Sequence, residues 1–400
     1  MTKILVVGGL TSIGRHLCLK IRREQIAERL CIVDKSLPQL SYLSREMEDA
    51  IVPCFIQGDM SKQDTVDKIF GMDDWDWVIN FQSEIPYDQI DEIYQQGIYD
   101  LSMFVGEKAA QNRVKCFVQW SSMDVYESLS NKPSKEGDKL QPVTRNGKWK
   151  AKADTDLSRI PGLNVVIFRP SMVYGPHASF AYSAFSSPMG LNSVAVWVSL
   201  GLIHKYLGES MTITETGETR YVAAFISETV RRRLSMLQDG QSSGNPKLGS
   251  TIFQIPLIFV RVFSMALTIE QKHIVQFFQS VTGIEAGFLP PTDDFEAQMI
   301  DLVDEMNEYL LSTWNHMLRV AGIRATPVSP YLDNEFVRIR SFSIDGTKIT
   351  RETGFEYTEK CLTFENALEA LLDFEERGLW PRVLGQGQIV AASNDGNVPL

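Results

Sequence analysis

The sequence predicts an α/β protein built on a doubly wound parallel sheet, and three observations predict it. Short apolar runs alternate with helical or loop-like segments, a glycine-rich turn joins the first run to an amphipathic stretch, and an acidic residue closes the second run.

The runs are Ile4 to Val7, Leu30 to Val33, Ile51 to Ile56, Trp77 to Phe81, Val114 to Trp120 and Leu163 to Phe168. Each is rich in Val, Ile or aromatics, as strands of a parallel sheet covered on both faces by crossover helices should be. After the first turn, Ile13, Leu17 and Ile21 recur every four residues and make one apolar helical face. From Ser128 to Lys150 the composition turns polar, with Pro133, Lys135, Glu136, Gly137 and Asp138, and predicts a surface excursion. Past Gly175 the rhythm weakens. The expected division is a sheet domain over residues 1–175 with a return segment near 221–262, a smaller, mostly helical lobe over 176–220 and 269–380, and a mobile tail over 385–400. Within that lobe Met306, Leu310, Trp314 and Met317 are at helical spacing and are expected to form its core rather than a ligand pocket.

A hydrophobic content of 44% over 400 residues suffices for a packed interior. A formal charge of -11 argues against a nucleic-acid or anionic-membrane partner, because both need clustered Lys and Arg, and Arg231-Arg232-Arg233 is too short to change this. Cys18, Cys31, Cys54, Cys116 and Cys361 include no CxxC pair, so neither a disulfide framework nor a metal site is expected. The first strand begins at Ile4, which leaves no room for a secretory leader, and Thr251 to Leu267 is interrupted by Gln254, Pro256 and Arg261; a cytoplasmic protein is expected.

The turn Gly8-Gly9-Leu10-Thr11-Ser12-Ile13-Gly14 follows a strand and opens a helix, the arrangement that aims backbone N–H groups and a helix N-terminus at a pyrophosphate. Gly8 permits the tight turn and Gly14 lets the helix pack close to the strand. Thr11 occupies a middle position where glycine normally allows close approach of the ligand, so its side chain must point away. Asp34 ends the second strand about twenty residues after Gly14, the spacing of an acid that binds ribose hydroxyls and repels a 2′-phosphate. NAD is therefore expected in preference to NADP. Asp59 and Met60 follow the third strand at the adenine end, Asp59 alternatively capping the next helix. Phe81 and Gln82, at the end of the fourth strand, complete the expected cofactor contacts of this Rossmann-type fold.

Two further stretches give the chain a resemblance to the NAD-dependent epimerase/dehydratase branch of the extended short-chain dehydrogenases. Ser121-Ser122-Met123-Asp124-Val125-Tyr126 resembles the family's SSxxVYG, with Glu127 in place of its Gly, and Arg169-Pro170-Ser171-Met172-Val173-Tyr174-Gly175-Pro176 resembles RPxxVYGP. Gly217-Glu218-Thr219-Arg220 and Ser343-Ile344-Asp345 through Gly354-Phe355 match more loosely. The resemblance implies that the smaller lobe holds substrate, that Arg220 binds a substrate phosphate (or is a surface ion-pair partner), and that the protein is a homodimer with a four-helix interface.

It also implies a catalytic Tyr and Lys four residues apart, yet the matching window is Asn146-Gly147-Lys148-Trp149-Lys150. Lys150 fits; Asn146 stands where the Tyr belongs, and an amide is no general base. Asp154 falls where the family often has Glu. By the same resemblance Ser122 bonds the substrate oxygen and Asp124 is a catalytic carboxylate able to remove a proton α to a carbonyl; the alternatives are a strand-end cap and a solvated loop acid. Glu84 and Tyr87 are candidates to replace the missing acid/base, while Tyr174 and His177 are candidates to line the substrate pocket. The expected activity is that of an epimerase, isomerase or dehydratase on a small oxygenated molecule. An alcohol or ketone oxidoreductase with another Tyr, and a catalytically silent NAD-sensing regulator, are the alternatives.

Overall fold

The computed structural model describes residues 2–83, 89–127, 133–170, 211–214, 225–226, 286–289, 295–331, 345–348, 351 and 364–381. Six parallel strands form the main sheet: β1 (Lys3–Val7), β2 (Arg29–Asp34), β3 (Phe55–Gln57), β4 (Trp77–Asn80), β5 (Cys116–Trp120) and β6 (Val165–Phe168), in the order β3-β2-β1-β4-β5-β6. The pleat of β1 sends Leu5 and Val7 to one face and Ile4 and Val6 to the other. The first face carries α3 (Gln63–Phe70), α5 (Leu101–Gln111) and Leu157 of α6 (Arg145–Leu157). The second carries α1 (Ser12–Arg23) and α2 (Arg45–Ile51). Both faces are thus covered, and full burial of each Leu, Ile or Val contributes roughly 1.5–3 kcal/mol. α4 (Asp91–Tyr94) runs through a π-helical turn, Gln95–Asp100, into α5.

The doubly wound sheet and the amphipathic α1 agree with the sequence: Ile13, Leu17 and Ile21 are all buried. Two expectations need correction. The run Ile51 to Ile56 is not one strand. Ile51 ends α2, and Pro53, which has no N–H to give a ladder, sits in the 3₁₀ turn Val52–Cys54, leaving only Phe55–Gln57 as β3. The polar excursion stops at Thr144, which caps α6 by accepting from Gly147 N at 2.9 Å, and the helix beyond is buried along one side.

A second sheet of three strands, β7 (Met211–Thr214), β8 (Phe225–Ile226) and β9 (Ala286–Leu289), has the order β8-β7-β9. Two further helices follow, α7 (Phe295–Val320) and α8 (Phe364–Glu376). Leu310 and Trp314 are buried, and Trp314 meets Trp380 edge to face at 5.5 Å while its Nε1 donates to the Val328 carbonyl at 3.2 Å. These side chains pack as core. Most of 176–294 and all of 385–400 lie outside the described residues.

Candidate functional site

The strand order reverses between β1 and β4, because the chain fills the β2–β3 side first and then crosses back. Crevices for ligands form at such switch points, at the C-terminal ends of the strands. Gly8 follows β1 there, with φ +77°, and a Cβ on it would lie 2.5 Å from Gln82 N, just past β4. No side chain fits, so glycine is required twice over. Gly14 is equally constrained: a Cβ would sit 2.3 Å from the Gly8 carbonyl oxygen.

Thr11 turns into the loop. Its hydroxyl donates to the Gly8 carbonyl at 2.7 Å and accepts from Gly14 N at 3.2 Å, capping α1. The side chain therefore points away from the ligand face, as its β-branching demanded, and the first-turn amides of Ser12 and Ile13 have no helical acceptor of their own. Gly9 packs on Ile32 of β2, with no room for a Cβ.

Asp34 is buried at the end of β2. Its Oδ2 accepts from Leu10 N at 3.1 Å and its Oδ1 from Ser36 N at 3.0 Å, which leaves about two of its roughly four acceptor positions. Burial raises its pKa, opposed by those two N–H groups and by Lys35 and Arg15. Asp59 is half-buried, and its Oδ1 accepts from the backbone and hydroxyl of Ser61, at 3.0 and 2.7 Å, in a local turn; it does not cap α3. Met60 and Phe81 are buried.

A buried polar chain that sequence reasoning missed steadies the end of β4. Asn80 Nδ2 donates to Gln119 Oε1 at 2.9 Å and Gln119 Nε2 to Ser102 Oγ at 3.1 Å, while Asn80 Oδ1 accepts from Gln82 N at 3.1 Å. The signal was available: Asn80 and Gln119 are the polar residues inside otherwise apolar strands, and they face each other in register.

The opposite side of the crevice is built by α6 and the 3₁₀ turn Met123–Val125 after β5. A Cβ on Gly147 would fall 2.2 Å from the Asp124 carbonyl oxygen, so this glycine seats the first turn of α6 on that backbone. Asn146 and Lys150, four apart, share a face of α6. Asn146 and Asp124 are buried. Ser122 Oγ accepts from Asp124 N at 3.2 Å, so it caps its turn and keeps its hydroxyl proton to donate. Burial lowers the pKa of Lys150, and Asp124 and Asp154 oppose it.

Asp154, one turn beyond Lys150, is 1% exposed and accepts from Ser121 Oγ at 2.9 Å and from Arg169 Nε at 2.8 Å. Arg169 Nη1 also donates to the Tyr126 hydroxyl at 2.8 Å. Burial raises the Asp154 and Tyr126 pKa values; it works against the charge of Arg169, but Asp154 and Tyr126 outweigh it and hold that guanidinium above its ordinary value. This pair ties α6 to the ends of β5 and β6. Glu84, Tyr87, Tyr174, His177 and Arg220 lie outside the described residues.

A glycine turn under a helix N-terminus, an acid closing the adjacent strand and a crevice at the switch point define a Rossmann-type dinucleotide-binding fold. Gln82, whose backbone N lies against Gly8, carries a buried acceptor, Oε1, with no hydrogen-bond partner among the described residues, which fits a ligand donor. Residues 4–248 match the NAD dependent epimerase/dehydratase family, and the chain belongs to that family. NAD is accordingly the cofactor, as expected.

Among solved structures, the UDP-glucose 4-epimerase of Thermotoga maritima with UDP-glucose is 16% identical, covers 94% of this chain and 99% of its own, and has a TM-score of 0.57. The Bordetella bronchiseptica enzyme WbmG with NAD and UDP is 14% identical over 94% and 96%, with a TM-score of 0.57. The dTDP-glucose 4,6-dehydratase of Bacillus anthracis with NAD is 14% identical over 94% and 97%, with a TM-score of 0.56. At these identities the likeness is one of fold. No curated protein sequence matches the chain. Among the described residues no helix is long and apolar enough to cross a membrane.

Proposed function

We propose that the protein is an NAD-dependent epimerase or dehydratase acting on a nucleotide sugar, with proton transfer carried by Asp124 and Lys150 rather than by a tyrosine. The observation that carries this reading is the seating of α6 on the Asp124 backbone through Gly147, which brings the Asn146–Lys150 face against the turn bearing Ser122 and Asp124. The substrate class is drawn from the similar structures, which hold UDP-glucose or UDP or are named for dTDP-glucose.

Gly8, Gly9, Thr11, Ser12, Ile13 and Gly14 would hold the diphosphate, Asp34 the ribose, Asp59 and Met60 the adenine side, and Phe81, Gln82 and Lys150 the remainder of NAD. When bound, NAD supplies a reversible hydride acceptor. Lys150, which burial shifts toward its neutral amine, takes the proton of the substrate hydroxyl at Nζ. Asp124 moves a proton at the carbon next to the resulting carbonyl, and the Ser122 hydroxyl donates to the carbonyl oxygen. Asn146 orients substrate through its amide and neither gives nor takes a proton. Glu84, Tyr87, Tyr174, His177 and Arg220 complete the proposed substrate side. A homodimer and a cytoplasmic location belong to the same reading, tested by sedimentation velocity and cell fractionation.

Asp124→Asn is the direct test: loss of conversion with NAD affinity retained supports the role, and full activity removes Asp124 from the mechanism. Asn146 favours one other reading, a regulator that binds NAD without turnover. Absence of any substrate conversion by a protein that binds NAD would establish it.

A further inference from the structure

The segment that closes α8 reaches the loop that follows β2 and Asp34. Arg377 Nη1 donates to the Tyr42 carbonyl at 2.7 Å, joining positions 335 residues apart. The same guanidinium is held by its own helix: Nε donates to the Asp373 carbonyl at 3.2 Å, Nη2 pairs with the Asp373 carboxylate, and the group lies 5.3 Å from the Phe374 ring centroid. Tyr42 has φ +49°, a left-handed backbone unfavourable for a residue with a Cβ, and it lies in the loop between Asp34 and α2. Its carbonyl is thus fixed in a strained peptide by a side chain from the far end of the chain.

A buried guanidinium, that of Arg15, holds the phosphate loop. Arg15, 2% exposed, donates from Nε at 3.1 Å and from Nη2 at 2.5 Å to the Leu10 carbonyl, while Leu10 N donates to Asp34 Oδ2. The two peptides flanking Leu10 in the phosphate loop are therefore held by Arg15 on one side and the ribose-side acid on the other. Burial, then the charge of Arg377, draws the Arg15 pKa down to about 10, and Asp34 and Asp373 oppose that shift. Arg15 thus feels one positive and two negative charges, of which Arg377 and Asp373 pair with each other at the end of α8 and Asp34 accepts from the Leu10 N–H.

We propose that Arg377 is a positioning residue for the cofactor: through the Tyr42 carbonyl and the charge balance around Arg15 and Asp34, it couples docking of α8 to binding of the adenosine half of NAD. The inference rests on the NAD reading above. Coupling is reciprocal, so NAD must tighten docking of α8 by the factor by which docking of α8 tightens NAD, and couplings of this kind run from about 5-fold to about 150-fold.

The test uses the full chain, with calorimetric titration of NAD and of ADP-ribose and with amide exchange over residues 364–381. Arg377→Met removes the charge and the fork, and Arg377→Lys keeps the charge. The expected result is that Arg377→Met weakens NAD and ADP-ribose by the same factor, about 5-fold or more, and that Arg377→Lys recovers part of it. In the unsubstituted protein, exchange over 364–381 slows when ADP-ribose is added. Unchanged ADP-ribose affinity in a folded Arg377→Met variant overturns the proposal. So does α8 exchange indifferent to ADP-ribose in the unsubstituted protein, a measurement that decides even if the variant fails to fold. Failure of the unsubstituted protein to bind NAD at all overturns the functional reading itself, an outcome distinct from either of these.

Discussion

Replacing Asp154 by Asn isolates the charge that fixes α6 in the site. The carboxylate is 1% exposed and Arg169 15% by side chain, and they meet at 2.8 Å. An Asn can still accept from Ser121, so the loss is that of the charge opposite Arg169. Breaking a buried ion pair by removing one partner costs about 3–5 kcal/mol, because the other charge stays desolvated and uncompensated. At about 1.2 °C per kcal/mol for a chain of this length, the unfolding midpoint should fall by about 4–6 °C. Arg169 retains its bond to Tyr126, which places the expected value toward the lower end. Urea and thermal unfolding of Asp154→Leu, Arg169→Met and the double variant Asp154→Leu/Arg169→Met, measured beside Asp154→Asn, form a double-mutant cycle. The double variant should be less destabilised than the sum of the singles, since an apolar replacement of both partners is often near neutral. A loss below about 1 kcal/mol in Asp154→Asn, or additivity in the cycle, would refute the reasoning, being the behaviour of an exposed pair.

Gly8→Ala forces a Cβ to 2.5 Å from Gln82 N at positive φ; NAD affinity measured by calorimetry should drop about tenfold, equivalent to about 1.4 kcal/mol, and an unchanged affinity would separate the loop from the cofactor. Gly147→Ala places a Cβ 2.2 Å from the Asp124 carbonyl oxygen, and overpacking there should cost about 1–3 kcal/mol in urea unfolding, with conversion lost before NAD binding. Because burial raises the folded pKa of Asp34 above its ordinary 3.8, the stability it contributes is present in full below that value and is lost as pH rises through the raised one. Asp34→Asn should flatten the stability–pH curve in that window and leave it unaltered elsewhere; an identical curve for both proteins counts against the assignment.

The centre of the sheet is legible because β1, β2, β4 and β5 are largely buried and read as mainly apolar runs, whereas the partly exposed edge strand β3 is not, and the glycine turn is legible because backbone approach at Gly8 and Gly14 admits no other residue. The α6 segment is hidden for the opposite reason. Its buried positions include Asn146, Gly147, Ala151, Ala153 and Asp154, small or polar residues satisfied by backbone approach and by partners distant in sequence, and hydrophobic periodicity does not register them. Asp154 with Arg169 and Arg377 with Tyr42 depend on adjacency that only the folded chain creates. Thr11 carried its own signal: a residue that interrupts a phosphate loop is also a preferred helix cap, and it serves as one.

Conversion of a nucleotide sugar with NAD in this crevice, where Asn146 stands in place of a tyrosine, is the proposal most open to direct test. Mass-spectrometric detection of product after incubating the purified protein with NAD and UDP-glucose or dTDP-glucose, alongside Lys150→Met, tests it most directly. Product is expected from the unsubstituted protein and none from Lys150→Met; undiminished product from Lys150→Met, or NAD bound with neither sugar converted by the unsubstituted protein, would rule the proposal out.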